Sequence, residues 1–294
     1  MCLGSYTAGA VYTRGRQQLP GTGQTRPVKA HRFSRDEAYV IQSVDRSLRI
    51  LTALQGGRRM SLGEIASQLT LPPSTVHGII RTLLAHGMVQ QERDSGRYRL
   101  GPATLRLGNV YLDTLELRAR VAVRAEDLAQ RTGLAVRTGV LLLGDVIVVH
   151  HVPHPGGSRQ MPEVGIVIPA HACALGKVLL AYDPDALAQL RASPEPPRSM
   201  TGQTITDLTA LQKTLDQVRE TGTATEEEEA LIGESGIAAP LVDATSDVAG
   251  AISLVVPSLD WPAAPSATAA LIATARAVSR EMGAQEWPPA GDFS

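Results

Sequence analysis

Ser74, Thr75, His77, Gly78 and Arg81 share one side of a stretch whose other side is apolar, with Val76, Ile79, Ile80, Leu83 and Leu84 at i, i+3, i+4, i+7 and i+8. Short polar side chains and one Arg, gathered in the N-terminal half of a helix, are groups that approach base edges and phosphates. Arg58 and Arg59 precede this stretch, and Arg93, Arg97 and Arg99 follow it. A second concentration, His150, His151, His154, His171 and Cys173, contains residue types that ligate metals or, as a Cys–His pair, attack acyl groups. Its spacing suits neither chemistry well. Adjacent His150 and His151 point to opposite faces of a strand, so at most one joins a given site. His171 and Cys173, at i and i+2, are not neighbours on a helix, and no third group orients them. A metal-binding sensor and a thiol hydrolase stay as competing readings, while the expectation is no metal, no cofactor and no catalysis.

The elements around the first group are legible. Val44, Leu48, Leu51 and Leu54 predict a helix from about Tyr39 with an inward apolar face, stopped by Gly56-Gly57. Ser61, with Glu64 three residues on, starts a short second helix that runs to about Leu69. Pro72-Pro73 imposes extended backbone before the third helix, which ends at Gly87. Met88 to Leu100 reads as two short strands around Asp94-Ser95-Gly96, with arginines at the turn. Three helices and a basic hairpin make a winged helix-turn-helix, in which the last helix enters the major groove and hairpin arginines grip phosphates. A winged helix that binds protein instead is the competing use.

The chain has 294 residues, enough for two folded units. Its net charge of -1 conceals an asymmetry: residues 1–100 hold 14 Lys+Arg and 6 Asp+Glu, a net of +8. Residues 1–36 lack apolar periodicity and read as a disordered basic tail, which carries most of that excess, since 36–100 are only +2. The case for DNA therefore rests on where the arginines stand. Aromatic residues, at 3%, are too few for the stacking platforms of single-strand binders, which favours duplex DNA. No run reaches the 18 or so apolar residues of a membrane span, residues 2–12 lack the continuous apolar core of an export signal, and two cysteines make no disulfide framework. A cytoplasmic protein with no membrane partner is expected.

The stretches VIQSVDRSLRIL, LGEIASQLTLPPSTVHGIIRTL and SGRYRLG resemble the isocitrate lyase regulator (IclR) family of bacterial transcription factors, as do PAHACALGKVLLAY, ITDLTALQKTL and IAAPL further on. The resemblance covers about Val40 to Met282. It implies an α+β protein with a winged helix-turn-helix over 37–101, a linker helix over 102–122 and a GAF-like α/β effector-binding domain over 123–284, before a flexible end over 285–294. It also implies homodimers or homotetramers on palindromic operators. Independently, Leu105, Leu112, Leu115, Val121 and Leu128 form a stripe on one or two helices between Pro102 and Thr132, and Val136 to Leu143 and Val146 to Val152 read as a hairpin around Gly144-Asp145. Helices are expected over Ala172 to Tyr182, Leu208 to Gly222 and Pro265 to Met282, and strands over Ile237 to Asp243 and Ala249 to Val256.

Carried over position by position, the resemblance implies an effector site made by the backbone of Ala174 and Leu175 with Glu226, Gly236, Ser253 and Val255, and a basic position at Arg159. Helix-start amides suit a phosphate or carboxylate, and Glu226 suits ligand hydroxyls. Glu226 also belongs to the run Glu226 to Glu229, which as a pattern describes a solvated face equally well. Relatives that recognise small oxo-acids have Cys, Ser and Asp where this chain has Gly236, Val255 and Glu226. The change adds room and removes hydroxyls, favouring a polyol phosphate such as glycerol 3-phosphate over a smaller acid. The resulting expectation is a metabolite-responsive regulator, a repressor, of a carbon-utilisation operon.

Overall fold

Ser61 and Glu64 form a reciprocal cap: Ser61 Oγ accepts from Glu64 N at 3.2 Å, and Glu64 Oε2 accepts from Ser61 N at 2.7 Å. Two otherwise orphaned amides are satisfied, so a helix begins at Leu62. The computed structural model describes residues 40–156 and 163–289. The basic tail expected over 1–36 lies outside the described residues. The chain forms two units, the described residues up to Leu83 with Glu92–Arg99, and Leu84–Gln91 with Leu100 onward.

In the first unit, α1 (Gln42–Gly57), α2 (Leu62–Leu69) and α3 (Pro73–Ala85) enclose Ile50, Leu54, Ile65, Val76 and Ile80, all essentially fully buried. Each such side chain contributes about 1.5–3 kcal/mol by leaving water. The inward face of α1 differs from the expected one. Ile50, Ala53 and Leu54 are buried, whereas Val44 and Leu48 are 52% and 58% exposed. The helix carries two apolar stripes, and burial is confined to its C-terminal half. The strands β1 (Val89–Gln91) and β2 (Tyr98–Leu100) pair as a ribbon, and Met60 bridges to Tyr98 through two backbone hydrogen bonds of 3.0 and 2.7 Å. The wing is thereby tied to the start of α2.

From Pro102 the second unit runs through α4 (Pro102–Thr114) and α5 (Glu116–Thr132), separated by Leu115 in an extended conformation. The stretch 102–122, expected as one linker, is thus two helices with different surroundings. α4 has no buried residue, and Leu105, expected on an inward stripe, is 66% exposed; α5 buries Leu117, Val121, Ala125, Leu128 and Ala129. Beyond them β3 (Ala135–Leu142), β4 (Asp145–Val152), β5 (Val167–Pro169), β6 (Ala224–Glu227), β7 (Glu234–Val242) and β8 (Val248–Pro257) form one antiparallel sheet in the order β5-β4-β3-β8-β7-β6. Leu143 and Gly144, both at positive φ (51° and 89°), turn β3 into β4 with the twist that a two-residue hairpin requires.

Both faces of this sheet are covered. α5 and α9 (Pro265–Glu281) pack with Val136, Val149, Ile252 and Leu254 on one side. On the other, α6 (Ala174–Tyr182), α7 (Pro184–Ala192) and α8 (Leu208–Thr221) pack with Val146, Ala238 and Ala251. The result is the expected winged helix-turn-helix with a separate α/β unit. α7, β5 and β6 are additions to the sequence reading. Asp183, whose Oδ1 accepts from Ala186 N at 2.9 Å, and Pro184 start α7 in the usual way. Within 285–289, expected to begin a flexible end, Gln285 and Glu286 are exposed, while Trp287 lies against the core and donates to Pro240 O at 2.9 Å.

Candidate functional site

The nucleic-acid candidates share the first unit. Pro72-Pro73 sets the start of α3, and because Val76, Ile80 and Leu83 face inward, Ser74, His77, Gly78 and Arg81 are left exposed on the other side, with Thr75 half-buried. Arg81 makes no ion pair among the described residues, and neither do Arg58, Arg93 or Arg99, all of them exposed. Two of the arginines expected to meet phosphates also have partners within the protein. Arg97 forks onto Glu64 at 2.8 and 3.0 Å and donates to Arg59 O at 3.1 Å, while Arg59 Nε meets Glu92 at 3.0 Å. Arg97 thus clamps the wing onto the cap of α2, and its charge is matched before any DNA arrives. Sequence spacing could not show this, because Glu64 and Arg97 are 33 residues apart.

The effector candidates converge in the second unit, on the face of the sheet that α6 covers. β6, β7 and β8 place Glu226 opposite Gly236 and Gly236 opposite Val255, giving one row across the strands. Two residues along, a second row runs Ala238, Ser253, Arg137, His151. A side chain on Gly236 would come within 3.3 Å of Glu226 Oε1 and 3.7 Å of Ala174 Cβ, so the bare backbone there leaves space between Glu226 and the start of α6. Cys173 caps α6, its Sγ accepting from Gly176 N at 3.4 Å and its carbonyl from Lys177 N at 3.0 Å. The amides of Ala174 and Leu175 belong to the first turn of α6, where backbone N–H groups point out of the helix start. Arg159 lies outside the described residues.

Several functional groups here were not singled out by sequence for this site. Arg137 interrupts an apolar strand, and its guanidinium forks onto Glu163 and also donates to Glu234 at 3.0 Å. His151, considered above only as a metal ligand, stands beside it. Lys177, inside a helix buried along its full length, pairs with Glu229 and donates to Thr225 O at 3.1 Å. A charged residue within an otherwise apolar strand or helix was the available signal. The run Glu226 to Glu229 is not a solvated face: Glu226 and Glu229 are buried, with Ala224 and Glu226 pointing inward along β6.

Burial pushes the Glu226 carboxyl up to about 7, and the charge of Glu229 adds to this against the hydrogen bond from Glu229 N and the charge of Lys177. The folded state holds that proton more tightly than the unfolded chain. Its stabilising contribution is therefore full at low pH and is lost as pH rises from about 4.5 to about 7. Glu226→Gln is expected to unfold at a higher temperature than wild type at pH 8, by the equivalent of roughly 2–3 kcal/mol, and to match it at pH 4.5. Thermal unfolding across that range reads the difference, and a gap independent of pH would contradict it.

The competing chemistries are poorly served. His171 Nε2 bonds to Arg198 O at 2.9 Å, and burial pushes the Cys173 thiol up to about 12, the opposite of what a nucleophilic thiolate needs. Among the described residues, no group of three or more His, Cys, Asp or Glu is placed to share a metal ion, and no helix is long and apolar enough to cross a membrane.

Comparison with known proteins joins the two regions. Residues 43–93 match the model for the IclR helix-turn-helix domain, and residues 109–280 the model for the C-terminal part of bacterial transcriptional regulator IclR. The glycerol operon regulatory proteins of Streptomyces coelicolor and Streptomyces griseus are each 43% identical over 249 residues, covering 83% of this chain and 97% of theirs. HGIIRTL, SGRYRLG, YLDTLELRAR and IVVHHV, read as sequence, resemble that same group, the glycerol operon repressors of actinomycetes. The crystal structure of an IclR regulator from Alicyclobacillus acidocaldarius matches with a TM-score of 0.70 at 28% identity, covering 83% of this chain and all of that one.

Proposed function

Because the chain belongs to the IclR family of DNA-binding transcriptional regulators, we propose that it represses a glycerol-utilisation operon, binding a palindromic duplex operator and responding to glycerol 3-phosphate in its C-terminal unit. The observation that carries the DNA part is the outward face of α3, where Arg81 is exposed and makes no ion pair among the described residues, on the same helix as Ser74, Thr75 and His77. The operon follows from the relatives named for glycerol regulation, which are 43% identical over most of their length. In this reading the phosphate sits on the Ala174 and Leu175 amides, and the hydroxyls meet Glu226, with Gly236, Ser253 and Val255 shaping the space. The protein acts in the cytoplasm without catalysis, as a homodimer or homotetramer. The exposed Leu105, Leu107, Val110 and Tyr111 of α4 offer apolar surface to a partner.

Arg81→Ala is expected to lose roughly 10- to 100-fold in operator affinity and to discriminate poorly between operator and random DNA, the loss typical of a base contact. Arg93→Ala should weaken both DNAs alike and flatten the salt dependence by about one phosphate contact. Titration of labelled operator and random duplexes at several salt concentrations measures both. A winged helix that binds protein would show no salt-dependent DNA binding and no effect of either substitution.

A further inference from the structure

Arg137 lies deep in the second unit, its side chain only 17% exposed, and it cannot stay there uncompensated. Two carboxylates answer it. Glu234 comes from β7 within the sheet, but Glu163 comes from the connection between β4 and β5 and takes the better half of the guanidinium, the Nε–Nη2 edge that a planar acid fits with two parallel bonds. Beside this pair, the His151 side chain is 3% exposed, and its Nε2 makes no hydrogen bond among the described residues. Glu163 Oε2 is 3.7 Å away, beyond bonding distance. A buried ring nitrogen left without a partner marks a place where a bond remains to be completed. Arg137 is directly across from Ser253 on the strand ladder, and both share the face lined two residues along by Gly236, Val255 and Glu226.

We infer that Arg137 and His151 form the subsite for the acid group of the effector, carboxylate or phosphate, and that Glu163 occupies it in the unliganded protein as a built-in substitute. The inference rests on the reading that the small molecule sits between α6 and this face of the sheet. It adds a side-chain anion site to the helix-start amides. It also gives Glu163 a role as internal competitor: the ligand's acid takes its place on the Arg137 edge and satisfies His151 Nε2, while Glu234 stays paired. The exchange keeps Arg137 neutralised in both states, so the buried cation is never left alone.

The test is calorimetric titration of the full-length protein and its variants with sn-glycerol 3-phosphate, glyoxylate, pyruvate and glycerol. Glu163→Gln removes the competing charge and is expected to bind the preferred acid about 3- to 10-fold more tightly. Arg137→Gln is expected to bind it at least 10-fold more weakly, with Arg137→Lys in between, and operator affinity without ligand reports that each variant is folded. Should Arg137→Gln fail to fold, the direction of the Glu163→Gln change still decides. Weaker or unchanged binding in Glu163→Gln overturns the inference, because the pair would then be pocket scaffold. So does binding of glycerol alone, or of none of the acids. If glyoxylate or pyruvate binds with the expected pattern and glycerol 3-phosphate does not, the proposed ligand fails while the subsite stands.

Discussion

Glu229→Ala should destabilise the second unit by about 3–5 kcal/mol, because it removes the counterion of a lysine that has no route to water. Lys177 is 1% exposed and Glu229 6%, and the lysine belongs to α6, all nine residues of which are buried. The backbone carbonyl of Thr225, at 3.1 Å from Nζ, cannot balance a full charge. Desolvating two ions costs nearly what their attraction returns, so the pair itself adds little net stability, and the penalty arises on breaking it. The double variant Lys177→Met with Glu229→Met should therefore recover most of the loss. Urea unfolding of wild type, Lys177→Met, Glu229→Met and the double variant forms a closed cycle. Near-additive single effects, with no recovery in the double, would show that the two charges are not coupled.

Gly176→Ala should be comparably damaging through sterics alone. A Cβ there would lie 2.1 Å from Ala170 O and 2.3 Å from Ala170 Cα, and backbone cannot rotate out of the way as a long side chain can. Either α6 or the short 3-10 turn Ala170–Ala172 must move, at a cost of at least about 3 kcal/mol. The displaced segment is the one that presents the Ala174 and Leu175 amides, so effector affinity should fall together with stability. Gly108→Ala supplies the contrast. Nothing lies within 4 Å of its added carbon, and replacing a mid-helix glycine in α4 should stabilise by up to about 1 kcal/mol. Thermal unfolding of both variants, with ligand titration of whichever folds, checks this. Equal melting temperatures for Gly176→Ala and wild type would contradict the packing argument.

Local chemistry made much of the first unit legible. The Ser61–Glu64 cap, the Pro72-Pro73 start of α3 and the Gly87 stop are set by residues within a few positions of one another, and each lies where the spacing predicts. The outward polar face of α3 follows from its apolar face for the same reason. α1 departs from the pattern because it carries apolar residues on two stripes, and choosing between Leu48 and Ile50 needs knowledge of what packs against the helix. In the second unit the strands of the hairpin and the long helices were readable by period, whereas β6 was hidden by four consecutive glutamates. Identical charges give no alternation to detect, although within β6 Glu226 is buried and Glu227 exposed.

What the sequence determined by itself was the family, the order of elements and the chemistry available at each, since these depend on short-range spacing and on motifs that survive as strings. Which charges meet was decided only by tertiary structure. Glu64 with Arg97, Arg137 with Glu163 and Glu234, and Lys177 with Glu229 are joined across 26 to 97 residues by strand register and helix packing. Those distances give Arg97 a partner within the protein in Glu64, and place Arg137 and His151 in the row beside the effector candidates. A buried charge must find its partner wherever the fold brings one, and one-dimensional spacing carries no record of that meeting.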